Sequence, residues 1–193
     1  MAFICPWSGW RALSAGAFLA MCASGSWTTC SAQSDARALE YKVKAAFLYR
    51  FASYVEWPPQ VLPRADSPLV IGVIGADALG DELAQVVADR TVAGRPVTVR
   101  KLRRGEALTG VHVLFIGRSD AHRSADVLAA AKGKAVLTVT ESEDAFALGS
   151  VINFVILDDK VRFDVALRPA EMENLKISAR LLSVARKVIP SPS

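Results

Sequence analysis

Two histidines, His112 and His122, are the only imidazoles in the chain. Acid–base chemistry near neutral pH would begin with them. His112 stands inside an apolar run, VHVLFIG, which suits a satisfied core or edge histidine. His122 falls in the first turn of an expected helix and makes an i, i+4 pair with Asp126, a spacing that can hold a metal. Two ligands do not close a site and no third is indicated, so a surface ion pair is the plainer reading. Ser119, Asp120 and His122 are the residue types of a hydrolase triad. Crowded on one turn, they do not give a nucleophile aligned on a base that is held from behind. Elbow, zincin and β-lactamase-type motifs are missing as well.

Glycines suggest a second chemistry. GVIGADALG, Gly72 to Gly80, follows an apolar run and opens a helix. Its spacing is not that of a dinucleotide fingerprint, and Asp81 stands where a phosphate loop needs lysine. The basic cluster RKLRR, residues 100–104, could attract anions or lipid headgroups, but a solvated strand end is the usual explanation. Without interleaved aromatics it is a poor match to nucleic acid, and the net charge of +4 is mild and spread out. The set points to no cofactor, no metal and no catalytic centre. A binding or regulatory module is expected rather than an enzyme.

These residues belong to a chain of 193 with 52% hydrophobic and 22% charged side chains, enough for one real core. Residues 1–34 carry a single charge, Arg11. The apolar run from Ala12 to Ala23 would rise about 18 Å as a helix, too short to cross a bilayer. Small and polar residues follow. This is the pattern of a secretory signal peptide, expected over 1–32 with cleavage after Ala32 and a single domain over 33–193. A lipoprotein reading through Cys22 is disfavoured by Met21 before it. Cys5, Cys22 and Cys30 all lie in this leader, so the exported chain would have no disulfide or thiol, and losing Arg11 would lower its charge from +4 to +3.

The exported part alternates. Leu39 to Trp57 has helical periodicity, with Val43, Phe47, Phe51 and Tyr54 on one arc, and Pro58 and Pro59 end it. PLVIGVIG, RPVTVRKL, VHVLFIG and AVLTVT read as strands separated by the helices LGDELAQVVADR and SDAHRSADVLAAAKG. Near-continuous apolar strands imply a sheet covered on both faces. VINFVILDDKVRFDVAL reads as a hairpin about Asp158-Asp159, and Arg168 to Val188 as a last helix. The expected class is a three-layer α/β domain: a mainly parallel sheet, a C-terminal antiparallel hairpin, and helices on both faces. The last helix has two apolar arcs, one through Leu175 and Leu182 and one through Leu181 and Val184. They imply deep packing or an interface with a partner or a second copy, a homodimer.

Together VKAAFLYRFASYVEWP, GRPVTVR, VLFIGRS, VLTVTES, INFVILDDKVRFDVAL and LKISARLLSVARKV, in order along the chain, resemble the YfiR/HmsC family of periplasmic proteins. The resemblance implies a secreted repressor that binds the periplasmic sensor domain of a membrane-bound diguanylate cyclase. It further implies an outer-membrane lipoprotein that sequesters the repressor, releasing cyclic-di-GMP synthesis and biofilm formation. The best-known members carry disulfides, which a cysteine-free exported chain would lack. The expected partner-binding surface combines Phe163 and Asp164 on the hairpin with Lys176 and Arg180 on the last helix. Tyr54 and Trp57 form a second candidate, a pocket at the end of the first helix, with Trp57 also readable as a core anchor. Two other functions stay open. One is a small-ligand-binding domain, for a nucleotide or amino acid, in the crevice after Ile74 and Ile116. The other is a carboxylate hydrolase.

Overall fold

A computed structural model describes residues 29–64, 66–103 and 105–191. The leader expected over 1–32 lies outside the described residues as far as residue 28, and positions 29–32 begin helix α1, Thr29–Ser53. After β1 (Val55–Glu56) come β2 (Leu69–Ile74), α2 (Asp77–Val87), β3 (Thr91–Val92), β4 (Arg95–Lys101) and β5 (Val113–Ile116). A 3₁₀ segment (Arg118–Arg123) runs into α3 (Ser124–Ala131) and β6 (Leu137–Thr140). The hairpin is β7 (Ile152–Leu157) and β8 (Lys160–Ala166). The chain closes with α4 (Leu167–Met172), β9 (Lys176–Ile177), α5 (Ala179–Val184) and β10 (Lys187–Ile189).

Eight strands form one sheet in the order β10-β8-β7-β6-β5-β2-β4-β3. Pairings from β4 through β7 are parallel, as is β8 with β10; β7–β8 and β3–β4 are antiparallel. Strand β5 shows why its sequence is uninterruptedly apolar. Val113 and Phe115 enter a core under α1 and α2, while Leu114 and Ile116 enter a second core under α3. Side chains alternate across a strand, so burial on both faces demands an apolar residue at every position. The expected three-layer α/β class is what forms.

The hairpin turns where the sequence said, with Asp158 at φ 49° and Asp159 at φ 56°. Both values belong to the type I′ turn, whose twist matches that of the strands, and aspartate tolerates it better than most residues.

The last helix is a correction. Arg168 to Val188 is not one helix but two short ones joined by a strand and followed by another. Helix α4 stops because Asn174 takes the left-handed conformation (φ 54°). Leu175 N–H then donates to Ala170 C=O at 2.9 Å and Asn174 N–H to Glu171 C=O at 2.9 Å. These are the two bonds of a Schellman motif, with Leu175 buried behind them. Ser178 starts α5 by accepting from Leu181 N–H at 3.3 Å. The two apolar arcs seen in the sequence thus belong to separate pieces of a strap: β9 pairs with β1 and β10 with β8.

The centre of the main core is an aromatic cluster. Phe51, fully buried, lies 5.6 Å from Phe154 and 4.9 Å from Phe163, ring centre to ring centre. Phe51→Ala should lower the unfolding free energy by about 3–5 kcal/mol in urea titrations. A loss below about 1 kcal/mol would show that α1 is not seated on the hairpin as described.

Candidate functional site

From β2 the chain moves outward to β4 and then returns across β2 to β5. At such a reversal the connections leave the carboxyl ends of the two strands in opposite directions and open a crevice. Two glycines shape it. Gly75 takes φ 69°, a conformation that disfavours side chains. A Cβ on Gly117 would lie 2.5 Å from the Gly75 carbonyl oxygen, so the two strand ends touch only because residue 117 is glycine. Ser119 Oγ donates to that carbonyl at 2.5 Å. It is therefore spent on the loop and faces no base, and His122 and Asp126 stay exposed on the surface.

Helix α1 lies over the crevice and brings charge to it. Lys44 is fully buried and ion-paired with both Glu40, one turn back, and Glu141, just beyond β6. Arg118 Nη2 lies 3.5 Å from Glu40 and its Nε 3.5 Å from Glu141, while its main-chain N–H donates to Glu141 Oε1 at 2.9 Å. Arg37, Tyr41, Gly75 and Ser119 complete a cavity of about 190 Å³. Sequence reading missed this cluster. Lys44 falls in line with Leu48 and Phe51 at i, i+4 and i+7, a position normally apolar, and that misfit was the available signal.

The residues expected at the binding surface separate into two groups. Phe163 is a core residue, 2% exposed, so it is taken off the surface. Asp164 is also buried, and the guanidinium that meets it is Arg186: Nε donates to Oδ1 at 2.8 Å and Nη2 to Oδ2. This fork holds β10 onto β8, and it raises Arg186 above its ordinary pKa, first by hydrogen bonding and then by charge. In contrast, Arg180, Lys176 and Tyr54 come together. The Arg180 guanidinium lies over the Tyr54 ring, 5.9 Å from its centre, and Lys176 is the register partner of Glu56 across β1–β9. Two surfaces that looked separate in the sequence are one, joined by the strap.

Trp57, the other pocket candidate, packs against the main core and meets His112 edge-on at 6.4 Å. Its buried Nε1 has no hydrogen-bond partner among the described residues. His112 Nδ1 accepts from Val70 N–H at 3.1 Å, which leaves the proton on Nε2, 3.3 Å from the Val61 carbonyl. The histidine is therefore a neutral brace between a strand and a loop, and burial holds it below its ordinary value of 6.5.

Elsewhere two members of the basic cluster are matched by acids. Arg100 donates to Glu106 at 3.0 Å and Lys101 pairs with Asp81. The Arg103 N–H and then Arg100 hold the Glu106 carboxyl below its usual range. Asp81 thus answers a lysine on the neighbouring strand and does not face a phosphate. Among the described residues no three potential metal ligands gather, and no helix is long and apolar enough to cross a membrane.

A family model described as YfiR/HmsC-like matches residues 41–186. The chain belongs to the YfiR/HmsC-like family. No curated protein matches it significantly. The family segment opens at Tyr41, on the crevice wall, and closes at Arg186, the residue that forks Asp164. In this member of the YfiR/HmsC-like family the segment takes in most of the crevice and the strap, while Arg37 and Glu40 of the crevice precede it and β10 follows it.

Two measurements check this geometry. Lys44→Met removes the fully buried cation from Glu141, whose side chain is 5% exposed, and should cost about 3 kcal/mol, against less than about 0.5 for exposed Arg37→Ala. Equal losses would show that the cluster is open to water. His112 must shed its Val70 bond to take a proton, whereas the unfolded chain takes one freely below 6.5. Its contribution to stability is thus full above 6.5 and is lost as the pH falls from there through the folded value. Urea midpoints at about pH 7.5 and pH 5 should differ less in His112→Asn than in the parent. An unchanged difference would contradict the assignment.

Proposed function

We propose that this protein is a periplasmic regulator that binds the periplasmic sensor domain of an inner-membrane diguanylate cyclase and holds the enzyme inactive. Cyclic-di-GMP and biofilm formation then fall while the complex lasts. An outer-membrane lipoprotein competing for the regulator would reverse the effect. Membership of the YfiR/HmsC-like family supports this reading. The observation that carries it to particular residues is the surface formed by Tyr54, Lys176 and Arg180. Val184, 62% exposed, follows Arg180 at i, i+4 on α5 and so adds an apolar side chain to the same face.

Such a surface has the composition of a protein-binding site. Tyrosine and arginine carry much of the energy at interfaces because they combine area with a polar end, and Arg180 is already held over its tyrosine. Charges at the rim speed encounter and reject wrong partners. Nothing in this surface is reactive, which fits a protein that works by contact. The crevice favours a second reading, a small-ligand-binding regulator, because ligands of open α/β sheets bind at the switch point.

Capture of the sensor domain by immobilised protein tests the first reading. Arg180→Glu should weaken capture by about tenfold or more without changing the melting temperature, while Lys42→Glu on exposed α1 surface should not. Equal capture by the parent and Arg180→Glu would sink the proposed surface.

A further inference from the structure

We infer that the crevice between α1 and the carboxyl ends of β2 and β5 binds a small oxyanion, a carboxylate or inorganic phosphate, through the guanidinium groups of Arg37 and Arg118. This deepens the second reading above by naming the ligand class.

Charge supports it first. Three cations, Arg37, Lys44 and Arg118, stand against two carboxylates, Glu40 and Glu141. Lys44 is fully buried and takes both carboxylates. It neutralises much of their repulsion toward an incoming anion without being available to bind one. Asp120 Oδ2 lies beside Ser119 Oγ, each 2.8 Å from where a Cβ on Gly75 would stand, and Asp120 is not among the residues lining the cavity and has an interaction of its own. The surplus positive charge therefore rests on the two arginines.

Hydrogen-bonding capacity comes next. The Arg118 side chain is 59% exposed, and its 3.5 Å separations from both carboxylates are ion-pair distances, too long for good hydrogen bonds. Arg37 is exposed and makes no hydrogen bond or ion pair among the described residues. Two planar forks thus line one concavity with their donors uncommitted, and forks of this kind match carboxylate and phosphate in pairs of bonds.

Size decides the class. The cavity of about 190 Å³ is below the roughly 300 Å³ at which pockets for drug-sized ligands begin. A nucleotide does not fit within it, whereas phosphate or a short carboxylic acid does. A Cβ on Gly75 would lie 2.8 Å from Ser119 Oγ, so glycine also keeps the floor clear.

Isothermal titration of the purified protein with sodium phosphate and with succinate, at constant ionic strength, tests the inference. Saturable binding of either probe is expected; phosphate alone or succinate alone identifies which oxyanion the site prefers. Arg37→Ala and Arg118→Ala should each weaken binding by about tenfold or more, and Arg118→Lys by less than Arg118→Ala. Lys160→Ala at the hairpin tip should leave it unchanged. Arg37→Ala touches no partner in the fold, so its effect reads the site rather than stability. No saturable binding of either probe, or affinities equal to the parent in both alanine variants, would overturn the inference. Because the titration needs no partner protein, it is independent of sensor-domain capture.

Discussion

Helix α1 seats Phe47 and Phe51 against Phe154 and Phe163 of the hairpin, with ring centres 4.9 to 6.1 Å apart. Everything else of interest hangs on that contact. A sheet with apolar residues on both faces must be covered on both, and α1 with α2 covers the larger core. Seated there, α1 passes the crevice with its middle, where Lys44 enters the ion cluster. Its C-terminal end turns through Tyr54 into β1, the strand that holds the C-terminal strap. Lys44 and Tyr54 are ten residues apart, about 15 Å along a helix. One rigid rod therefore spans the proposed ligand site and the proposed partner surface.

Much of this architecture was legible from sequence because its causes are local or periodic. Strand β5 is apolar at four consecutive positions because two cores claim its alternate residues. The Asp158-Asp159 reversal was readable because aspartate tolerates positive φ. The last helix was misread for a physical reason too. Its apolar spacing is compatible with a continuous helix, and the stop signals, Asn174 and Ser178, are single polar residues that also occur within helices. Only the bonds closing the Schellman motif and the Ser178 cap distinguish the two cases.

The site was less legible, since its interactions join residues distant in the chain. Glu141 lies 97 positions from Lys44, and nothing near either one announces the other. A lysine in an amphipathic helix is normally assigned to solvent, and here it is fully buried. Asp164 was assigned outward by its charge, whereas Arg186, brought alongside by β10, makes burial tolerable. Phe163 was assigned outward with it, although neighbours on a strand face opposite sides and only one of the two could have been exposed. Lys176 and Arg180 kept their exposure, and their link to Tyr54 needed the β1–β9 pairing.

The proposed regulator would work through surface contact, and the strap supplies a surface that is fixed at both ends and carries exposed Lys176 and Arg180. Hydrogen–deuterium exchange of the protein alone and with the sensor domain of the proposed partner cyclase is the most direct measurement of that claim. The account predicts slower exchange over residues 54–57 and 176–186 on binding, with β3 and β4 at the opposite edge of the sheet unaffected. Protection confined to residues 91–110, or none anywhere, would contradict it.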